Sequence, residues 1–187
     1  MNELAVTEDM KKSLNQVKDK IKPILAKLLP DWRLLRVEGK DEEVCKMLDM
    51  SCGIDYLLCS VNSSQIYGVA SRVQYNRNYR TFTVRKDRES GAITEYEKRR
   101  QARYFGTISP KYTMQAYIEN EDVSGLGLTK TADLMNFIHE GHAQELKTKA
   151  DKIGQAEFYV CSWDKMKKYG YKVIEYSIKG DMKKNEN

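Results

Sequence analysis

Apolar residues at Met10, Leu14, Val17, Ile21, Ile24, Leu25 and Leu28 recur close to every 3.6 positions, which predicts a long N-terminal helix within residues 1–30. Thr7, followed by Glu8 and Asp9, has the form of a helix start, with a side-chain acceptor and then acids for the first turn. Pro23 is placed to kink this helix, and Pro30 with Asp31 to end it. Trp32 to Val37 reads as a first strand and Asp41 to Asp49 as a short helix. Ile54 to Val61 (IDYLLCSV) and Ile66 to Tyr75 (IYGVASRVQY) are apolar and β-prone, and the short polar link between them predicts an antiparallel hairpin.

The alternation of Phe82 and Val84 makes Arg80 to Lys86 a third strand, followed by a turn at Asp87 to Gly91 and a charged helix from Ile93 to Tyr104. Further on the pattern predicts a strand at Tyr112 to Glu119, a loop containing Gly125 and Gly127, and a helix from Lys130 to His142. A strand at Glu157 to Ser162, a short helix at Trp163 to Tyr169 and a last strand at Lys172 to Ile178 complete the series. The tail from Lys179 to Asn187 is polar and is expected to fray. Strands alternating with helices after an antiparallel group predict an α/β fold of one domain over residues 1–187, with a central mixed sheet flanked by helices.

At 187 residues the chain is long enough to bury a core without a disulfide or metal staple. Its hydrophobic fraction of 41 % and charged fraction of 32 % are those of a globular protein with a heavily charged surface. No apolar run approaches the roughly 18–20 residues of a membrane span, and the acid-bearing N-terminus lacks the apolar stretch of a signal peptide. The expectation is a cytoplasmic protein. Cys45, Cys52, Cys59 and Cys161 include no C-x-x-C pair and are expected to be reduced, buried small hydrophobes. His139 and His142 in HEGH are spaced i and i+3, not the i and i+4 of the zinc-protease pattern, and read as a helix end with a glycine cap. Gly125-Leu126-Gly127 lacks the Gly-Lys-Ser/Thr that completes a phosphate-binding loop.

Net charge is +5, but it is unevenly placed. Between Arg72 and Phe105 lie ten basic residues against four acids, a local balance of +6. Eight of the ten are arginine, whereas the rest of the chain favours lysine. An arginine fork binds phosphate bidentately and stacks on bases, and Tyr75, Tyr79, Phe82, Tyr96, Tyr104 and Phe105 interleave with the basic positions. Aromatic faces beside arginines suit nucleic acid. Arg72, Arg77, Tyr79, Arg80, Arg85, Lys86, Arg88, Arg99, Arg100 and Arg103 are therefore the expected nucleic-acid contacts. The alternative is that the arginines pair with acids on a solvated surface.

Asp55 stands at the start of an apolar strand, where a metal ligand would serve a nuclease. From about Lys40 to Gly106 the order of helix, Asp-bearing strand, hairpin partner, third strand and basic helix resembles the restriction-endonuclease-like, or PD-(D/E)XK, nuclease superfamily. In that family the partner strand carries Glu-x-Lys or Gln-x-Lys; here Ala70-x-Arg72 stands in its place. The resemblance implies that Asp55 holds Mg²⁺ or Mn²⁺ and that Arg72 replaces the lysine. The missing group would come either from Gln74, on the same strand face as Arg72, or from Glu95 with Lys98 on the helix. Other readings of these residues are a turn-capping role for Asp55 and a surface ion pair for Glu95 and Lys98.

The leading expectation is a nucleic-acid-binding protein with a restriction-endonuclease-like core, extended by the resemblance to a divalent-metal-dependent nuclease encoded by a phage or mobile element and acting in the host cytoplasm. The alternative is a non-enzymatic phage anti-defence (anti-CRISPR-like) inhibitor or adaptor that binds a protein–nucleic acid complex.

Overall fold

The computed structural model describes residue 15 and residues 17–40, 42–75, 77–148 and 155–177. Of the predicted N-terminal helix, these residues carry a π-helical turn at Val17–Ile21 and helix α1 (Lys22–Leu28), with Pro23 in its first turn, where a missing N–H leaves no internal bond broken. A long helix is thus not supported; its predicted start at Thr7 lies outside the described residues, as does the tail from Lys179. Strand β1 (Trp32–Arg36) and helix α2 (Glu43–Lys46), extended by a π-helical turn at Met47–Ser51, fall where the pattern placed them.

Strands β2 (Tyr56–Ser60) and β3 (Ile66–Gln74) form the expected antiparallel hairpin, and β1 pairs antiparallel on the outer side of β2. The chain then leaves this sheet for β4 (Thr81–Arg88) and α3 (Glu95–Phe105). It returns as β5 (Tyr112–Glu119), parallel to β3. Strand β6 (Asp122–Lys130) turns back antiparallel on β5; after it come α4 (Thr131–His139), β7 (Gln144–Lys147), β8 (Ala156–Ser162), α5 (Trp163–Lys168) and β9 (Val173–Ser177). The result is a six-stranded mixed sheet, in the order β1-β2-β3-β5-β6-β9, and a three-stranded sheet, β4-β8-β7.

The period of two along the strands divides the large sheet into two faces. Tyr56, Leu58, Val69, Met114, Ala116 and Leu126 point to one side, where Val17, Ile21 and Leu25 cover them. On the other side Tyr117 joins Phe82, Val84, Leu134, Phe137 and Trp163, which come from the small sheet and its helices. Because β3 and β5 alternate, Ala70, Arg72, Thr113 and Gln115 share this second face.

The predicted loop at Gly125 and Gly127 is instead the middle of β6. Both glycines sit where a side chain has no room: a Cβ on Gly127 would lie 2.5 Å from the Trp163 ring, and one on Gly125 would lie 2.1 Å from the Asn78 amide. The glycines mark close packing over a strand, not a turn. Strand β7 was not anticipated, since all four of its residues are exposed and no alternation betrays it. The helix predicted to reach His142 ends at His139; Gly141, with φ of 75°, turns the chain, and His142 stacks on Tyr169 at 3.8 Å. Of the four cysteines only Cys161 is buried, and burial pushes its thiol up to about 12; Cys45, Cys52 and Cys59 are half-buried and all four are free. Among the described residues no helix is long and apolar enough to cross a membrane.

Candidate functional site

The second face of the large sheet does not pack fully against the small sheet. Between Asp55, β3 and β5 on one side and β4 with α3 on the other lies a cavity of about 320 Å³. Its polar walls are built by local backbone geometry. The carbonyl of Asp55 accepts from the amides of both Val37 and Glu38, at 2.9 Å each, which draws the segment after β1 against the start of β2. The Gly53 amide donates to the Asp49 carbonyl at 3.0 Å, holding the end of the π-helical turn beside the same point. Glu38, Asp49 and Asp55 therefore line one cavity although they come from three segments.

The opposite wall is α3. Thr94 is its N-cap: Oγ1 accepts from the Glu97 amide at 3.3 Å and donates to the Lys86 carbonyl at 3.1 Å, which ties the helix to β4. Glu95, Lys98 and Arg99, at i, i+3 and i+4, then present one face to the cavity. Arg72 donates to Glu95 Oε1 at 2.5 Å, and the Arg85 amide donates to Oε2 at 3.3 Å. Lys98 Nζ donates to the Met50 carbonyl.

The carboxylates respond oppositely to this environment. Burial pushes the Asp55 carboxyl well above the usual range; the charges of Glu38, Asp49 and Glu95 add to the rise, and the Ser71 amide, donating to Oδ2 at 2.5 Å, opposes it. Glu38 is raised by burial and by Asp49, and Asp49 by burial. Glu95 is also desolvated, but the guanidinium groups of Arg72 and Arg99 outweigh that and hold it below its ordinary value. A carboxyl pushed up in pKa thus shares the cavity with one held down.

Of the residues that the sequence singled out for catalysis, Asp55, Arg72, Glu95 and Lys98 line this cavity. Gln74 is not among its lining residues; it lies at the far end of β3, opposite Tyr117. Glu95, from the helix, therefore shares the cavity with Asp55. Asp55 does not cap the preceding turn, since its side chain is taken by the Ser71 amide across the hairpin. Glu38, Asp49 and Gln115 were not anticipated. For Gln115 a signal existed: Thr113, Gln115 and Tyr117 alternate with Met114, Ala116 and Ile118, giving a strand with one polar face that is nonetheless buried.

The expected nucleic-acid surface is more divided than the sequence implied. Arg80 is neutralised by Asp164 at 2.7 Å and Glu175 at 3.1 Å, Lys86 by Glu145 at 2.7 Å, and Arg100 by Glu97 at 2.8 Å. Arg80 also has φ of 53° and its carbonyl accepts from the Trp163 amide, so it is part of the framework. Arg85 is half-buried beside the Phe158 ring, and Arg103 donates to Asn136 at 2.7 Å. Arg77 and Tyr79 are exposed, and Arg88 and Arg99 line the cavity.

Among the described residues no three His, Cys, Asp or Glu side chains converge as a metal site. The acidic side chains that share the cavity with Asp55 are Glu38, Asp49 and Glu95, all with hard carboxylate oxygens. Oxygen donors of this type are those that hard cations such as Mg²⁺ or Mn²⁺ take, and Mg²⁺ commonly uses only one or two carboxylates with phosphates and water completing its shell. Comparison of the chain with known protein families, with curated proteins and with solved structures finds no match.

Proposed function

We propose that this chain is a nucleic-acid-binding, divalent-metal-dependent nuclease of restriction-endonuclease-like architecture. The observation that carries the reading is the meeting of Asp55, at the start of β2, with Glu95 and Lys98 from α3 in one cavity. The order of an Asp-bearing strand, a hairpin partner, a further strand and a basic helix supports it, with the change that β4 belongs to the second sheet.

Asp55, with Glu38 or Asp49 beside it, would hold Mg²⁺ or Mn²⁺, which when bound polarises a phosphoryl oxygen and lowers the pKa of a water. Burial and the neighbouring carboxylates disfavour a charged Asp55, so a bound cation would offset the charge that its ionised form brings into the cavity. Glu95 fixes the Arg72 fork across the cavity wall. Lys98, anchored to the Met50 carbonyl, places a positive charge at the cavity. Incubation with labelled single- and double-stranded DNA and RNA, in Mg²⁺, Mn²⁺ or EDTA, tests this. Cleavage with metal, none in EDTA and none by Asp55→Asn is the expected result.

One observation favours a second reading. Ala70 stands where the family has an acid, and Arg72 is already satisfied by Glu95. A non-enzymatic inhibitor or adaptor would use exposed Arg77 and Tyr79 as contacts, and binding without cleavage in any metal would transfer the argument to it.

A further inference from the structure

Three cavity residues, Arg88, Arg99 and Gln115, carry buried donors that the folded chain leaves unused, and the last two carry the inference. Gln115 is 1 % exposed; its Oε1 accepts from the Thr83 amide at 3.2 Å and from Thr83 Oγ1 at 3.1 Å, which fixes the amide, and its Nε2 has no partner. Arg99 is 8 % exposed and its Nη1 likewise has no partner. Leaving a buried donor unsatisfied destabilises the fold, and more so for a charged group. Such groups are retained where something else satisfies them. An anion with several acceptor oxygens, such as a phosphate, answers both at once.

The cavity is not isolated. Cys52, Ile93 and Lys98 also line an adjoining groove of about 240 Å³, whose other walls include Met50, Ala102 and Ile108. Ile93, Met50 and Ile108 are 58 %, 60 % and 60 % exposed, so this groove presents apolar surface directly beside the charged cavity. Just beyond it, at the end of α3, Tyr104 and Phe105 are 84 % and 69 % exposed.

We propose that cavity and groove together form a site for one unpaired nucleotide of a nucleic-acid strand, with its phosphate against Arg99 and Gln115 and its base in the Met50–Ile93–Ile108 groove. The inference deepens the nuclease reading and rests on the cavity's being a nucleic-acid site. A base stacked and paired inside a duplex cannot reach such a groove unless it is flipped out. An unpaired strand presents it freely, and Tyr104 and Phe105 offer faces on which the following bases stack.

Calorimetry on the full chain at low salt in EDTA tests this without catalysis. The probes are dAMP, deoxyadenosine, inorganic phosphate, a 5′-phosphorylated single-stranded oligo(dA) and a hairpin duplex. The single strand should bind tightest and the duplex at least tenfold weaker, while dAMP should exceed both deoxyadenosine and phosphate at least tenfold. Gln115→Glu keeps the oxygen that Thr83 needs but turns the free donor into an acceptor. It should weaken every phosphate-bearing probe about tenfold and leave deoxyadenosine unchanged. Ile93→Asp, at an exposed position, should weaken dAMP and deoxyadenosine but not phosphate, and it keeps the test alive if Gln115→Glu does not fold. Binding of dAMP no tighter than phosphate, or unaltered by either folded variant, overturns the site. Duplex binding as tight as single strand, or dAMP binding tighter than the strand, overturns the assignment to an unpaired strand. Binding as expected with no cleavage in any metal contradicts the hydrolysis alone; cleavage with no binding of dAMP contradicts this site alone.

Discussion

Asp55→Asn should stabilise the protein in EDTA at pH 8 while removing the nuclease activity proposed for it. The Asp55 carboxyl is desolvated and faces the like charges of Glu38, Asp49 and Glu95, so ionising it in the folded state is unfavourable. Asparagine keeps the oxygen that accepts from Ser71 and removes the charge. Relief of a buried, poorly compensated charge is worth about 1–3 kcal/mol. For a chain of this size each kcal/mol moves the melting temperature by roughly 2–4 °C. A group whose folded pKa is raised binds more protons in the folded than in the unfolded state, so wild-type stability falls as pH rises from the ordinary aspartate value of 3.8 through the raised folded value. The variant should lack that part of the slope. Adding Mg²⁺ should raise the wild-type melting temperature by mass action and leave the variant unmoved. Differential scanning fluorimetry from pH 4 to 8, with EDTA or Mg²⁺, reads all of this. A variant that melts at or below wild type at pH 8, or that responds equally to Mg²⁺, would refute the reasoning.

Other substitutions probe the same framework. Glu95→Gln leaves Arg72 and Arg99 without their counter-charge; with the Glu95 side chain 36 % exposed and partly screened, a loss of about 1–3 kcal/mol is expected by denaturant titration. Because the Glu95 pKa is depressed, its stabilisation is present above the ordinary glutamate value of 4.5 and fades as pH falls below it, so wild type and variant should converge in acid. Gly127→Ala drives a Cβ into the buried Trp163 ring and should cost about 1–3 kcal/mol; an unchanged melting curve would contradict the packing described for β6. Arg80→Ala removes a framework residue bonded to Asp164 and Glu175 and should lower stability measurably, whereas Arg77→Ala should stay within about 0.5 kcal/mol and act only on nucleic-acid binding. Equal stability losses in the two would undo that division.

The elements were legible because most strands and helices bury one face, and the apolar period survives in the sequence. Strands β2 and β3, their hairpin, and α3 with its Thr94 cap were readable in this way. Strand β6 was not, since its glycines answer to Trp163 and Asn78, distant in the sequence. The site was half legible. Asp55, Arg72, Glu95 and Lys98 stood out by type and spacing, but Glu38 and Asp49 reach the cavity only through the backbone bonds that Asp55 and Gly53 make. Charge was the least legible property. Arg72 to Phe105 is basic when counted along the chain, yet Glu145, Glu157, Asp164 and Glu175 return from the C-terminal half to neutralise Lys86 and Arg80. A local charge balance cannot see acids that the fold brings in from β7, β8, α5 and β9.

The cavity around Asp55 is proposed to cut nucleic acid with the help of a divalent ion. The most direct test places wild type and Asp55→Asn, purified in parallel and equally folded by melting, on labelled single-stranded DNA and RNA in Mg²⁺ or Mn²⁺. Wild type should cleave in metal and not in EDTA, and the variant's rate should fall by orders of magnitude while its binding in EDTA persists. Equal cleavage by the two proteins, or none by wild type in either metal, would contradict the account.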